Sequence, residues 1–327
     1  MDRHRDSSSP ATGQSGAKAR SESGMPLESR RASLDHALQR ILWELRPYLS
    51  DLVVIGGWVP YLYQRYGVFS GWSGPLSLTA EVDILVDPEM PPGGRQPIAG
   101  ILRDAGFQPV GKSRPVAVWA NEPARGEKIE FLVQHSGVRK SLGTIVPLRT
   151  QEGLGAIALA RLDILRENTS TLVVPARSPG DEIERIALRV PQLGAYVLNK
   201  AATFMDRPSV SGTVGNPKRA KDLLYLRDVL HAGPALRATI ANEISQMVEA
   251  DPRVRYMADK GADNLDRIVS SGGNTTLDDV GAMLAEREPE RSRDGAVASV
   301  LGHLMDLRDL LDSYRSPPAT GDSPEDE

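Results

Sequence analysis

In the segment LTAEVDILVD, residues 78–87, apolar Val82, Ile84 and Val86 alternate with Glu81 and Asp83. Alternation with period two marks a strand buried on one face, because successive side chains leave a strand on opposite sides. One face of this strand can join a core, and the other carries two carboxylates side by side. Two anions held together repel unless positive charge lies between them, and a divalent cation with oxygen ligands is the usual solution. The segment thus calls for a sheet with one packed face, and its opposite face is either a polar site or a solvated strand surface carrying two charges.

Other segments can supply that sheet. LVVIGG (52–57), PVAVWAN (115–121) and KIEFLVQ (128–134) read as strands, the last two joined as a hairpin by the polar EPARGE. The intervening QPIAGILRDAGFQPV is expected to form a short helix closed by Gly106. Upstream, SLDHALQRILWELRPYLS puts Leu34, Leu38, Ile41, Leu42, Leu45 and Leu49 on one helical face, with Ser33 as the expected N-cap. Residues 144–178 fit either a helix or a hairpin; the hairpin is favoured, GAIALARLDIL returning through TLVVPA by way of the turn-like RENTST. After ALRVPQ the pattern becomes helical. Asn216 and Pro217 open NPKRAKDLLYLRDVL as N-cap and first helical residue, and three or four more helices follow, the longest within 293–314.

The fold class expected is therefore α+β: a mixed sheet with flanking helices over residues 32–190, then an all-helical domain over 191–315. The Ser/Gly/Pro-rich residues 1–31 and the acidic, Pro-rich 316–327 are expected to be disordered tails. A chain of 327 residues that is 40% apolar can bury a core of this size. It has no cysteine, which removes disulfides, thiolate nucleophiles and zinc-finger chemistry together. With five scattered histidines, a metal would sit on oxygen ligands. Neither a membrane-spanning apolar run nor a secretory signal is visible, so a cytoplasmic location is expected and a membrane partner is not. Net charge is −4, which as a whole carries no nucleic-acid footprint.

Two further features gather around the carboxylate pair. Glu130, flanked by Ile129 and Phe131, leaves its strand opposite to those apolar residues, and becomes a third acid if the two strands are neighbours; otherwise it is an exposed hairpin residue. Three acids around hydrated divalent metal support phosphoryl or nucleotidyl transfer. Gly56 and Gly57 form a turn between a strand and a helix, where free backbone N–H groups suit a triphosphate. Tyr61, Tyr63 and Tyr66 read as helix packing, Trp58 as packing or as a base-stacking ring, and His135 as structural or exposed.

In this order and chemistry the residues resemble the nucleotidyltransferase superfamily related to DNA polymerase β, with its glycine turn, acid-x-acid strand and third acid. Within it the chain looks most like AbiEii and MenT-type nucleotidyltransferases, toxins of bacterial toxin–antitoxin systems. The resemblance spans roughly residues 50–232. It implies Mg²⁺ or Mn²⁺ at Glu81, Asp83 and Glu130, and an NTP bound by Gly56, Gly57, Lys200, Lys221 and Asp222, with Arg207 near the same surface. Two departures stand out: Glu replaces the commoner Asp at the first and third acids, and the interval from Gly57 to Glu81 is long, with GVFSGWSGPLSL as added loop.

The function this implies is transfer of a nucleoside monophosphate from an NTP to an acceptor hydroxyl, on RNA or a tRNA end, with a cognate antitoxin as a further partner. The basic NPKRAK is a local positive patch for such an acceptor. A small-molecule or protein acceptor is a second reading, and a binding protein that keeps the fold without catalysis is a third. Lys200 also fits a helix-edge lysine with a buried stem, and Lys221 with Asp222 a solvated charged face.

Overall fold

The computed structural model describes residues 27–315, except 70, 71, 73, 75, 78, 91–93, 112–113, 122–127, 136–142, 207–215 and 271–274. Helix α1 (Leu27–Leu45) leads through a short 3-10 turn into β1 (Leu52–Ile55), α2 (Trp58–Tyr66), β2 (Glu81–Val86) and α3 (Ile98–Asp104). Short β3 (Gln108–Pro109) and β4 (Val118–Ala120) precede β5 (Lys128–Gln134), β6 (Ile145–Pro147), β7 (Gly155–Leu159) and α4 (Asp163–Glu167). A long hairpin, β8 (Thr169–Arg177) and β9 (Ile183–Pro191), ends the β-rich part. Helices follow: α5 (Leu193–Thr203), α6 (Pro217–Leu230), α7 (Pro234–Ala250), α8 (Pro252–Ser270), α9 (Thr275–Arg287) and α10 (Arg293–Asp312). The expected architecture, a mixed sheet with flanking helices and then a helical region, is the one observed.

The main sheet runs β1-β2-β5-β4-β3, with β7 also on β5 and β6 on β7. β1 is antiparallel to β2, whereas β2 and β5 are parallel. Strand β5 forks: its first half pairs antiparallel with β4, and Leu132 onward pairs parallel with β7. Val82, Ile84 and Val86 are buried against the core, as alternation in β2 requires. The apolar face of α1 is buried from Leu38 to Leu45 and continues to Leu49.

Three local expectations change. Ser33 does not cap α1, which begins six residues earlier at Leu27 and so also takes in the end of the segment assigned to the N-terminal tail. The rest of that tail and residues 316–327 lie outside the described residues. The hairpin is not between GAIALARLDIL and TLVVPA. β7 is inserted beside β5, Asp163–Glu167 turn helically, and β8 pairs instead with β9 over nine register pairs. The turn of that hairpin is SPGDE, where Ser178 accepts the amide of Asp181 on its carbonyl and that of Glu182 on its hydroxyl, and Asp181 takes φ +64. A Pro-Gly-Asp cluster between two β-branched runs is the stronger turn signal, and RENTST the weaker. The N-cap of α6 is as expected: the Asn216 side chain accepts the Arg219 amide, with Pro217 first in the helix.

Between α6 and α10, His231 Nδ1 and His303 Nε2 stand 3.2 Å apart with the rings edge to face. Burial, the neighbouring His231, and Arg227 and Arg237 push His303 down from 6.5 to about 4, while Asp306 pulls weakly the other way. The unfolded chain accepts a proton here below pH 6.5 and the folded chain refuses it until about pH 4. The pair's contribution to stability is therefore complete above pH 6.5 and falls as pH drops from 6.5 toward 4. Melting temperatures measured across that range should fall less steeply for His303→Phe than for the wild type; identical slopes would remove His303 as a source of acid lability.

Candidate active site

Parallel pairing of β2 with β5 sets Asp83 opposite Glu130 and Glu81 opposite Lys128. Partners in register leave a sheet on the same face, so Glu81, Asp83 and Glu130 share one, at strand spacing of roughly 4.8 Å between Asp83 and Glu130 backbones. Asp83 and Glu130 are half-buried, while Glu81, at the start of the strand, is exposed and turns toward Lys128, with Oε1 3.5 Å from Nζ. Among the described residues no three acidic or histidine side chains stand close enough to enclose an ion. Mg²⁺ commonly needs less: one or two carboxylates, waters and substrate phosphates. Asp83 and Glu130 fit that requirement.

The Gly-Gly turn closes on these residues. Gly56 has φ +75, and a Cβ there would lie 2.0 Å from Asp83 Oδ2. A Cβ on Gly57 would lie 2.2 Å from the Tyr225 hydroxyl and 2.8 Å from Thr79 Cγ2. Both glycines are thus required by close approach: the first to a carboxylate of the sheet, the second to a phenol from α6. Trp58, next in the turn, is 1% exposed and its indole N–H donates to the Glu81 carbonyl at 3.1 Å. It has no free face for a base and instead ties the start of α2 to the start of β2. Tyr63, also buried, donates its hydroxyl to the Pro191 carbonyl, and Tyr66 donates to Asp35, so the α2 tyrosines pack as expected.

Helices α5 and α6 form the wall facing the turn. Lys200 is buried and its Nζ lies 2.5 Å from Asp222 Oδ1, itself 3% exposed. The Lys200 ammonium sits 5.4 Å from the Tyr225 ring centre and 5.9 Å from that of Tyr196, and Lys221 lies 5.8 Å from the Tyr225 ring. Tyr225 is therefore flanked by two cations, an arrangement its ring quadrupole favours. Burial lowers the Lys221 pKa and Lys200 lowers it further, while Glu81, Asp83 and Asp222 oppose the shift. Burial pushes the Tyr225 and Tyr196 hydroxyls well above their ordinary range, and Asp83 and Asp222 add to it in both. The Tyr196 hydroxyl is buried with no hydrogen-bond partner among the described residues, a costly arrangement that a packing role alone does not explain.

Lys200, Lys221 and Asp222 thus share a neighbourhood with Gly57 through Tyr225, although Lys200 is ion-paired rather than solvated. Arg207 lies outside the described residues. Of the NPKRAK cluster, Lys218 is exposed, whereas an Arg219 guanidinium nitrogen donates to the Met205 carbonyl and Lys221 is half-buried. His135 closes β5, its backbone N–H donated to the Leu159 carbonyl. Sequence reading missed Tyr225, Tyr196 and Thr79 as site residues. Tyr225 was findable: it lies three and four residues after Asp222 and Lys221, hence on their helical face.

No helix among the described residues is long and apolar enough to cross a membrane. Comparison with curated proteins and with solved structures returned no match. A family profile described as nucleotidyltransferase matches residues 36–247, which take in α1 from His36, the sheet, the glycine turn and the Lys200–Asp222 wall. With well over half of its length matched, the chain belongs to the nucleotidyltransferase family.

Proposed function

We propose that the protein transfers a nucleoside monophosphate from an NTP to an acceptor hydroxyl on RNA. The observation that carries the reading is the register that puts Asp83 beside Glu130 on one sheet face, opposite a wall bearing Lys200 and Lys221. The acceptor hydroxyl attacks the α-phosphorus, the bond to the β-phosphate oxygen breaks, and pyrophosphate leaves with that electron pair. Glu130 takes the hydroxyl proton. Asp83 and Glu130, joined by Glu81 when it leaves Lys128, would hold Mg²⁺ or Mn²⁺, which supplies charge neutralisation at the phosphates. Backbone N–H groups at Gly57 and the first turn of α2, with the lysines opposite, orient the triphosphate. By the same resemblance the enzyme is read as the toxin of a toxin–antitoxin pair acting on tRNA ends.

The test is to incubate the purified protein with each α-labelled NTP, Mg²⁺ or Mn²⁺, and a mixture of total RNA and protein. Label in the RNA fraction is expected. Label in protein or in small molecules overturns the RNA acceptor, and NTP binding without label in any fraction overturns the enzyme in favour of a binding protein.

A further inference from the structure

Helices α8 to α10 lie beyond the matched region, yet one of them reaches the segment that leads into the carboxylate strand. Arg287, the last residue of α9, donates from Nη1 to Ser77 Oγ at 2.6 Å and binds Asp228 of α6 through both terminal nitrogens, at 2.8 and 2.6 Å. Asp228 in turn accepts the Ser77 backbone N–H at 2.8 Å. The arginine and the aspartate therefore grip one residue by its hydroxyl and by its main chain. A second fork backs the first: Arg227 binds Glu288 at 2.9 and 3.3 Å, with Arg291 on the same carboxylate at 3.0 Å. Arg227, Asp228, Arg287 and Glu288 are all buried or nearly so and sum to zero charge.

Ser77 stands four residues before Glu81 and six before Asp83. Between them Thr79 is buried, its methyl faces Gly57 and its hydroxyl accepts the Glu81 amide at 3.2 Å. Ala80 extends the β2–β5 pairing by accepting the Lys128 amide. Ser77 is thus held by the clamp, and the chain from Ala80 onward by the sheet.

We propose that Arg287 is a positioning residue for nucleotidyl transfer: through Asp228 and Ser77 it fixes the strand entry that aligns Glu81 and Asp83 with the glycine turn. The Arg287 guanidinium is planar and serves two partners at once, which a lysine ammonium at the same place cannot do with the same geometry. Misplacement of a reacting group by a fraction of an ångström to an ångström is enough to lower a rate strongly. The rate part of this inference rests on the proposed function; the clamp itself does not.

The experiment compares wild type, Arg287→Lys and Ser77→Ala as full-length proteins by amide hydrogen exchange and by label transfer. Both variants are expected to exchange roughly tenfold faster over residues 79–83 while α7 and α8 are unchanged, because only a local opening is made cheaper. In transfer, kcat should fall about tenfold with KM for the NTP nearly unchanged, since the triphosphate-binding lysines stay in place. Ser77→Ala removes a single hydroxyl, and keeps the test decisive should Arg287→Lys fold poorly. Unchanged exchange at 79–83, or a rise spread evenly over the chain, overturns the positioning role. A wild type that transfers no label overturns the nucleotidyl-transfer reading, and the exchange comparison then decides the clamp by itself.

Discussion

Asp83→Asn is expected to lower label transfer by about two orders of magnitude or more, the usual scale when an electrostatic group at a reacting phosphate is lost. The shape of the side chain is retained, so the close fit against Gly56 survives. Two electrostatic changes oppose each other in the fold: repulsion from Glu81 is relieved, and Lys221 loses one of the carboxylates that favour its charge. Thermal melting in metal-free buffer should accordingly stay close to wild type. Transfer at near wild-type rate would refute Asp83 as part of the reacting site, and a large fall in melting temperature would mark it as structural.

Lys200→Ala should behave differently, with a large cost to the fold itself. It removes the buried ammonium that pairs with Asp222, and removal of one partner of a buried ion pair costs about 3–5 kcal/mol. Loss of NTP binding in that variant alone would mix unfolding with a missing contact. Lys200→Met combined with Asp222→Asn removes both charges at similar volume and is expected to recover most of the stability without recovering NTP affinity. Chemical denaturation and NTP titration of the three proteins separate these effects. An undiminished NTP affinity in the double variant would leave Lys200 with a structural role only, and wild-type stability in Lys200→Ala would contradict the buried pair.

The polarity pattern of β2 made its two faces legible from sequence, since a strand with Val82, Ile84 and Val86 on one side has one way to lie on a core. Glu130 was legible for the same reason, but its register with Asp83 was not: pairing is decided by contacts distant in sequence, and a shift of one residue would have turned it away. The Asn216–Pro217 helix start was readable because capping is local chemistry. Ser33 misled because a polar residue early in an amphipathic run can equally lie on the exposed face of a longer helix. The hairpin partner of β8 was misassigned because two apolar segments flank it and turn propensity had to choose between them. The clamp was invisible, since Arg287 and Ser77 are 210 residues apart and neither belongs to a local motif.

The hydrogen bond from the Trp58 indole to the Glu81 carbonyl gives the molecule an optical reporter of its own. Indole emission depends on the polarity and hydrogen bonding of its surroundings, and this ring is sealed from water while tied to the first residue of the carboxylate strand. Events that shift the main chain at the start of β2 move the carbonyl to which the chromophore is bonded. Of the four tryptophans Trp58 makes this bond, and replacement of Trp43 and Trp72 by phenylalanine would leave a spectrum from Trp58 and the equally buried Trp119. Occupancy at the strand is thereby open to observation in unlabelled protein, before any bond to phosphorus is made or broken.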